Sequence, residues 1–183
     1  FYFEMVQMLA KTIDSKDAYS HDHSENSRKL ARAIGKKLGL SEQLVRYLEY
    51  AAMLHGIGKI GIDQTLLSKP GKLTPEEFEQ IKKHTSIGHR ILKPVKFLGP
   101  VSQMVLYHQE WFNGKGYPEG LKGEEIPLGS RVIAVIIAWE AMNSDRPYRR
   151  ALSRDKAIEQ LKVGAGTQFD PRIVEAFLSV IST

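Results

Sequence analysis

Four of the six histidines stand beside segments with helical periodicity. His23 opens one, His55 ends one in "AAMLHGIGK", His84 lies in "IKKHTSIGH", and His108 closes one in "VLYHQEW". Imidazoles carried on separate helices can converge in a bundle core and build a metal site there. Each also has a plainer reading, because a histidine at a helix end commonly caps it or faces solvent. Only convergence would give the four a shared chemistry. His21 and His89 fit no such pattern and are expected on the surface.

The elements that must position these residues are helices. Leu44, Leu48, Ala51 and Ala52 recur at helical spacing, as do Ile173, Phe177, Val180 and Ile181. Thr74-Pro75-Glu76-Glu77 is a capping box with proline at the first helical position. Asp170-Pro171 and Ser153 are N-terminal signals, and Gly39 is a stop. Helices are predicted over 2–17, 23–38, 41–56, 75–93, 99–109, 125–143, 153–163 and 171–182. The stretch "RVIAVIIAW" within 125–143 is β-branched enough to suit a buried strand, but no alternating partner strands flank it. The fold class is therefore all-α, a bundle of about seven or eight helices in a single domain over 1–183. Irregular segments fall at 57–74 and at 110–127, "EWFNGKGYPEGLKGEEIP". A glycine-rich loop on a rigid helical scaffold is a common seat of function.

Composition narrows the classes. With 183 residues, 42% hydrophobic and 26% charged, the chain can bury one core. A net charge of +5 is too small and too dispersed to mark a DNA-binding surface. The absence of Cys excludes disulfide scaffolds, zinc ribbons and cysteine nucleophiles, and is compatible with a reducing, cytoplasmic location. The longest apolar run, Val132 to Trp139, falls far short of the ~20 residues of a bilayer-crossing helix, so no membrane contact is expected. Because the chain starts at Phe1, it is expected to be the C-terminal output part of a longer protein.

Longer stretches resemble the HD-GYP family, a branch of the HD-superfamily metal-dependent phosphohydrolases. They are "DAYSHDHS", "AAMLHGIGKIGI", "LLSKPGKLTPEEFEQIKKHTSIG", "HQEWFNGKGYPEGLKGEEIPL", "RPYRRALS" and "GAGTQFDP", with Gly116-Tyr117-Pro118 as the GYP triplet. The resemblance implies an HD-superfamily helical bundle and chemistry on the second messenger cyclic di-GMP. It implies two or three iron or manganese ions held by His and Asp, which would supply a bridging hydroxide and clamp the phosphodiester oxygens. Carried over residue by residue, His23, His55, His84 and His108 occupy ligand positions, and the retained Lys59 can meet a phosphate of the dinucleotide as a point charge. Tyr117, Gly116 and Pro118 of the GYP loop, with Arg146 and Arg149 of "SDRPYRR", match dinucleotide-contacting positions. Guanidinium groups suit that task by pairing with phosphate and stacking on guanine. The same arginines also read as a solvated loop, and the GYP loop as a self-packed turn in which Gly114, Gly116 and Gly120 permit positive φ.

The chain departs from the family pattern at three ligand positions. The His-Asp pair is His55-Gly56, the His-His-Glu is His108-Gln109-Glu110, and a later Asp is Ile137. Tyr19 replaces the Glu associated with a third metal. Glu140, Asp22 and Asp63 are carboxylates near the affected segments. Glu110 is expected to support its neighbours, Asp170 to cap, and Trp111 and Phe112 either to pack the loop against the bundle or to form an exposed aromatic patch for a partner. The expected function is thus a degenerate, non-catalytic HD-GYP domain that binds cyclic di-GMP, or a partner such as a GGDEF-type signalling protein. Its expected cofactor content is none or one divalent transition metal. The alternative is an active phosphodiesterase with an altered, mononuclear metal site.

Overall fold

The computed structural model describes residues 1–16, 23–145 and 149–182. Tyr19, His21, Asp22 and Arg146, with the end of the first predicted helix, lie outside them. In chain order the helices are α1 (Tyr2–Lys16), α2 (His23–Lys37), α3 (Glu42–Leu54), a single turn α4 (Gln64–Leu67), α5 (Pro75–Lys82) and α6 (His84–Leu92). They continue with α7 (Gly99–Leu106), α8 (Leu128–Met142), α9 (Arg154–Gly164) and α10 (Pro171–Ile181). Among the described residues no strand forms, in keeping with the expected all-α class.

The starts follow local chemistry. Ser41, Ser153 and Asp170 accept backbone N–H groups at the heads of α3, α9 and α10. Thr74 and Glu77 complete the reciprocal capping box of α5. Gly39, at φ 73°, ends the second helix as expected.

The stretch that could have passed for a strand is α8, which packs against α2, α3, α7 and α10. Val132, Ile133, Val135 and Ile136 are all buried, so this helix is apolar on most of its circumference because it is covered on most of it. It begins at Leu128 rather than at 125, since Gly123–Glu125 form a tighter 3-10 turn. Phe177 of α10 is fully buried edge-on against Trp139 of α8, at 5.2 Å between ring centres. Burial of such a ring contributes about 1.5–3 kcal/mol.

Within α3, Leu44 is 43% exposed, and the buried face starts at Val45 and Leu48, which pack against α2 at Gly35. One expectation needs correction. The helix predicted over 75–93 breaks at Lys83, so His84 heads a helix of its own. The break accompanies a backbone-to-backbone seat, in which the start of α6 lies on the 3-10 turn Ile57–Gly61. A Cβ on Gly58 would stand 1.7 Å from the carbonyl oxygen of His84. Only glycine permits that approach.

Candidate functional site

The four histidines do converge. Ring centres are separated by 6.2 Å from His23 to His55, 5.8 Å from His55 to His108, and 5.4 Å from His108 to His84. Each comes from a different element: the head of α2, the end of α3, the segment after α7, and the head of α6. The break at Lys83 and the seat on Gly58 deliver His84 to the row.

Backbone contacts orient the rings. Nδ1 of His55 lies 2.7 Å from the carbonyl of Ala52, and Nδ1 of His108 lies 2.5 Å from that of Val105. A carbonyl only accepts, so Nδ1 carries the proton and Nε2 keeps its lone pair. Nε2 of His108 and Nδ1 of His84 are buried without a hydrogen-bond partner. Burial is also the largest cause of depressed basicity along the row. His55 is held well below the ordinary histidine range, with the nearby His108 adding to the effect. His84 is pushed down to about 2 by burial, then by His108 and Lys59, and His108 to about 4, chiefly by burial. Lys59 thus stands close enough to disfavour a second positive charge on any of the three, which remain neutral at pH 7.

A carboxylate meets one end of the row. Glu140 of α8 places Oε2 3.4 Å from Nδ1 of His23 and accepts the Ser27 hydroxyl at 3.2 Å through Oε1. Asp63 is instead the cap of α4, accepting the backbone N–H of Thr65. Gly56 is buried, and a Cβ there would meet Ile13 of α1 at 3.4 Å, an ordinary contact. Ile137 and Gln109 line a cleft of about 80 Å³ with His108, Glu110, Trp111 and Gln168.

The other end of the row abuts the glycine-rich loop. The hydroxyl of Tyr117 lies 3.5 Å from Nε2 of His84, and burial raises the phenol to about 12. Glu110, only 3% exposed, is the loop's anchor: it accepts the backbone N–H groups of Glu119 at 2.7 Å and Leu121 at 2.9 Å. Gly114 and Gly120 adopt positive φ as expected, but Gly116 does not. Its requirement is space, since a Cβ would stand 2.3 Å from the Trp111 nitrogen and 2.5 Å from the Gln109 oxygen. The Tyr117-Pro118 peptide is cis. Trp111 and Phe112 are half-buried, and Phe112 ties the loop to the 164–169 turn by donating its N–H to Gln168.

The arginine expectations fare differently. Arg149 directs its guanidinium to the backbone carbonyls of Ala141 and Arg150, at 3.0 and 3.1 Å, finishing the end of α8. Arg146 falls outside the described residues. Asp170 caps α10 and also pairs at 2.8 Å with the buried Arg131. His89 is half-buried, with Nδ1 3.2 Å from the Ser102 carbonyl, rather than a plain surface residue. Sequence reasoning missed two residues beside Tyr117. Phe78 meets that ring edge-on at 6.1 Å, and the Lys82 ammonium lies 4.9 Å from the Phe78 centroid and 5.5 Å from that of Tyr117. The available signals were an aromatic residue on the largely polar "PEEFEQIK" helix and the place of both residues inside one of the family-matching stretches.

The arrangement therefore offers neutral nitrogen donors along a buried row, a carboxylate at one end, and an ordered loop at the other. These residues do not fit a two-metal centre. Two dications need anionic donors that bridge and neutralise them, and the positions beside the row carry Gly56, Gln109 and Ile137. Among the described residues no group of three or more His, Asp or Glu side chains is arranged to hold a metal ion.

Comparison with known proteins agrees with this architecture. The family model of the HD domain matches residues 7–173. A cyclic di-GMP phosphodiesterase of Thermotoga maritima is 41% identical over 98% of this chain and 50% of its own length. The cyclic di-GMP phosphodiesterase response regulator RpfG of Xanthomonas campestris is 40% identical over 96% of this chain and 47% of its own. The chain thus spans about half the length of these relatives. A crystal structure of a cyclic GMP-AMP-specific phosphodiesterase from Vibrio cholerae superposes with a TM-score of 0.77 at 21% identity, covering 98% of this chain and 48% of that one. The chain belongs to the HD domain family and, carrying Gly116-Tyr117-Pro118, to its HD-GYP branch.

Proposed function

We propose that this chain is a degenerate HD-GYP domain in cyclic di-GMP signalling, which binds the dinucleotide without hydrolysing it. The observation that carries the reading is the pairing of an intact histidine row with Gly56, Gln109 and apolar Ile137 beside it. Lys59 next to the row, the ordered Tyr117 loop, and the names of the relatives support the ligand. Arg146 and Arg149 are its further proposed contacts. A protein partner such as a GGDEF-type signalling protein would meet the same loop face. A second reading is a phosphodiesterase with a single metal ion. The lone pairs left on Nε2 of His55 and His108, and Glu140 beside His23, favour it.

Metal analysis of the purified protein, with calorimetry and turnover assays in added manganese or iron, separates the readings. The expected result is at most one metal per chain and cyclic di-GMP binding without turnover. Two tightly held metals with turnover would sink the proposal, and one metal with turnover would establish the second reading. The triple change Gly56→Asp, Gln109→His and Ile137→Asp should restore metal uptake and hydrolysis together.

A further inference from the structure

The Phe78–Lys82 pair on α5 is unexplained by packing. α5 buries none of its residues, and Phe78 is 42% exposed. An exposed aromatic ring on a short polar helix contributes little to the core. Its position is specific, however: perpendicular to Tyr117 at 87°, with that tyrosine's hydroxyl reaching His84. The two rings form a corner, and the ammonium of Lys82 sits over both of them. The quadrupoles of two rings hold a cation there more firmly than solvent would. Its anionic neighbour is Glu79, paired at 2.9 Å on the same helix and 67% exposed, a surface pair that an incoming phosphate can displace.

From this geometry we infer that Phe78 and Lys82 extend the dinucleotide site beyond the GYP loop, Lys82 receiving a phosphate and Phe78 offering a stacking face to the adjoining purine. The inference rests on the cyclic di-GMP reading above. Its chemistry is that of single-stranded nucleotide recognition, in which an aromatic face accepts a base and a neighbouring cation accepts the backbone. The buried His84, Tyr117, Lys82 and Phe78 then lie in sequence from the histidine row out to solvent.

Calorimetric titration of cyclic di-GMP into the protein and its variants tests this. Phe78→Ala and Lys82→Ala should each weaken binding by about tenfold, with melting temperatures close to that of the unaltered protein. Phe78→Trp should bind nearly as well, whereas Phe78→Leu should not, although it keeps apolar bulk. Lys82→Ala should also flatten the salt dependence of binding, which a merely structural role would leave unchanged. Glu79→Gln frees the ammonium and should tighten binding about twofold. Unaltered protein that binds while Phe78→Ala and Lys82→Ala bind equally well overturns the extended site alone. Unaltered protein that does not bind cyclic di-GMP overturns both it and the reading beneath it.

Discussion

Glu140 and Ile137 lie one turn apart on α8 and face different parts of the histidine row. The carboxylate of Glu140 reaches His23 at 3.4 Å, while Ile137 borders the cleft beside His108. One helix thus supplies negative charge to the outer end of the row and hydrocarbon to its middle. Desolvation without coordination is what an apolar side chain adds there.

Glu140 is also structural. It takes the hydroxyl of Ser27, a fully buried residue. Glu140→Ala should cost about 1–3 kcal/mol by removing that acceptor, and Glu140→Gln should cost less because an amide oxygen can still accept. Urea denaturation of both variants checks the order.

The metal-free protein should lose stability as pH falls below the ordinary histidine range. His55, His84 and His108 have folded-state values lowered by burial, the last two to about 2 and about 4. In that window the unfolded chain binds protons that the folded chain refuses, so acid favours unfolding. The contribution is complete above about pH 6.5 and declines at up to about 1.4 kcal/mol per pH unit for each histidine. Melting curves between pH 7.5 and 5 should show the decline, and added zinc or cobalt should oppose it if one ion binds the row.

Gly58→Ala should be far more damaging than its size suggests. Its Cβ would meet the His84 carbonyl oxygen at 1.7 Å and the Gly88 nitrogen at 2.7 Å, both backbone atoms. Relief requires moving α6, and with it His84. A loss of several kcal/mol or failure to fold is expected, on the order of the larger overpacking effects. Gly39→Ala is the control: nothing stands within 4 Å there, and only its positive φ is strained.

Removing the anchor of the loop separates stability from recognition. Glu110→Ala takes a buried carboxylate from two backbone N–H groups and should cost about 2–4 kcal/mol. Hydrogen exchange at the Glu119 and Leu121 amides should accelerate well beyond the global change. Cyclic di-GMP binding should weaken even where the bundle remains folded.

Much of this was legible in the sequence, for identifiable reasons. Caps at Thr74, Ser153 and Asp170 act through their own neighbours, and short-range chemistry can be read locally. The convergence of His23, His55, His84 and His108 was one of two readings of their places near helix ends, and the family resemblance rather than the spacing selected it. The break at Lys83 could not be read, because it answers to a close approach at Gly58, distant in the chain. Gly116 was assigned to the correct loop for the wrong cause, since crowding by Trp111 and Gln109 is a tertiary property. Phe78 and Lys82 were passed over because nothing in a polar helix announces the ring packed against it.

The two bonds from Glu110 to Glu119 and Leu121 carry a thermodynamic consequence for recognition. A loop already tethered before a ligand arrives has surrendered its freedom during folding, so association need not order it again. Immobilising even one long side chain on binding costs about 0.5–1.5 kcal/mol. Whatever the GYP loop recognises, its complex should form with little entropy of loop ordering, and a single buried carboxylate sets that advantage.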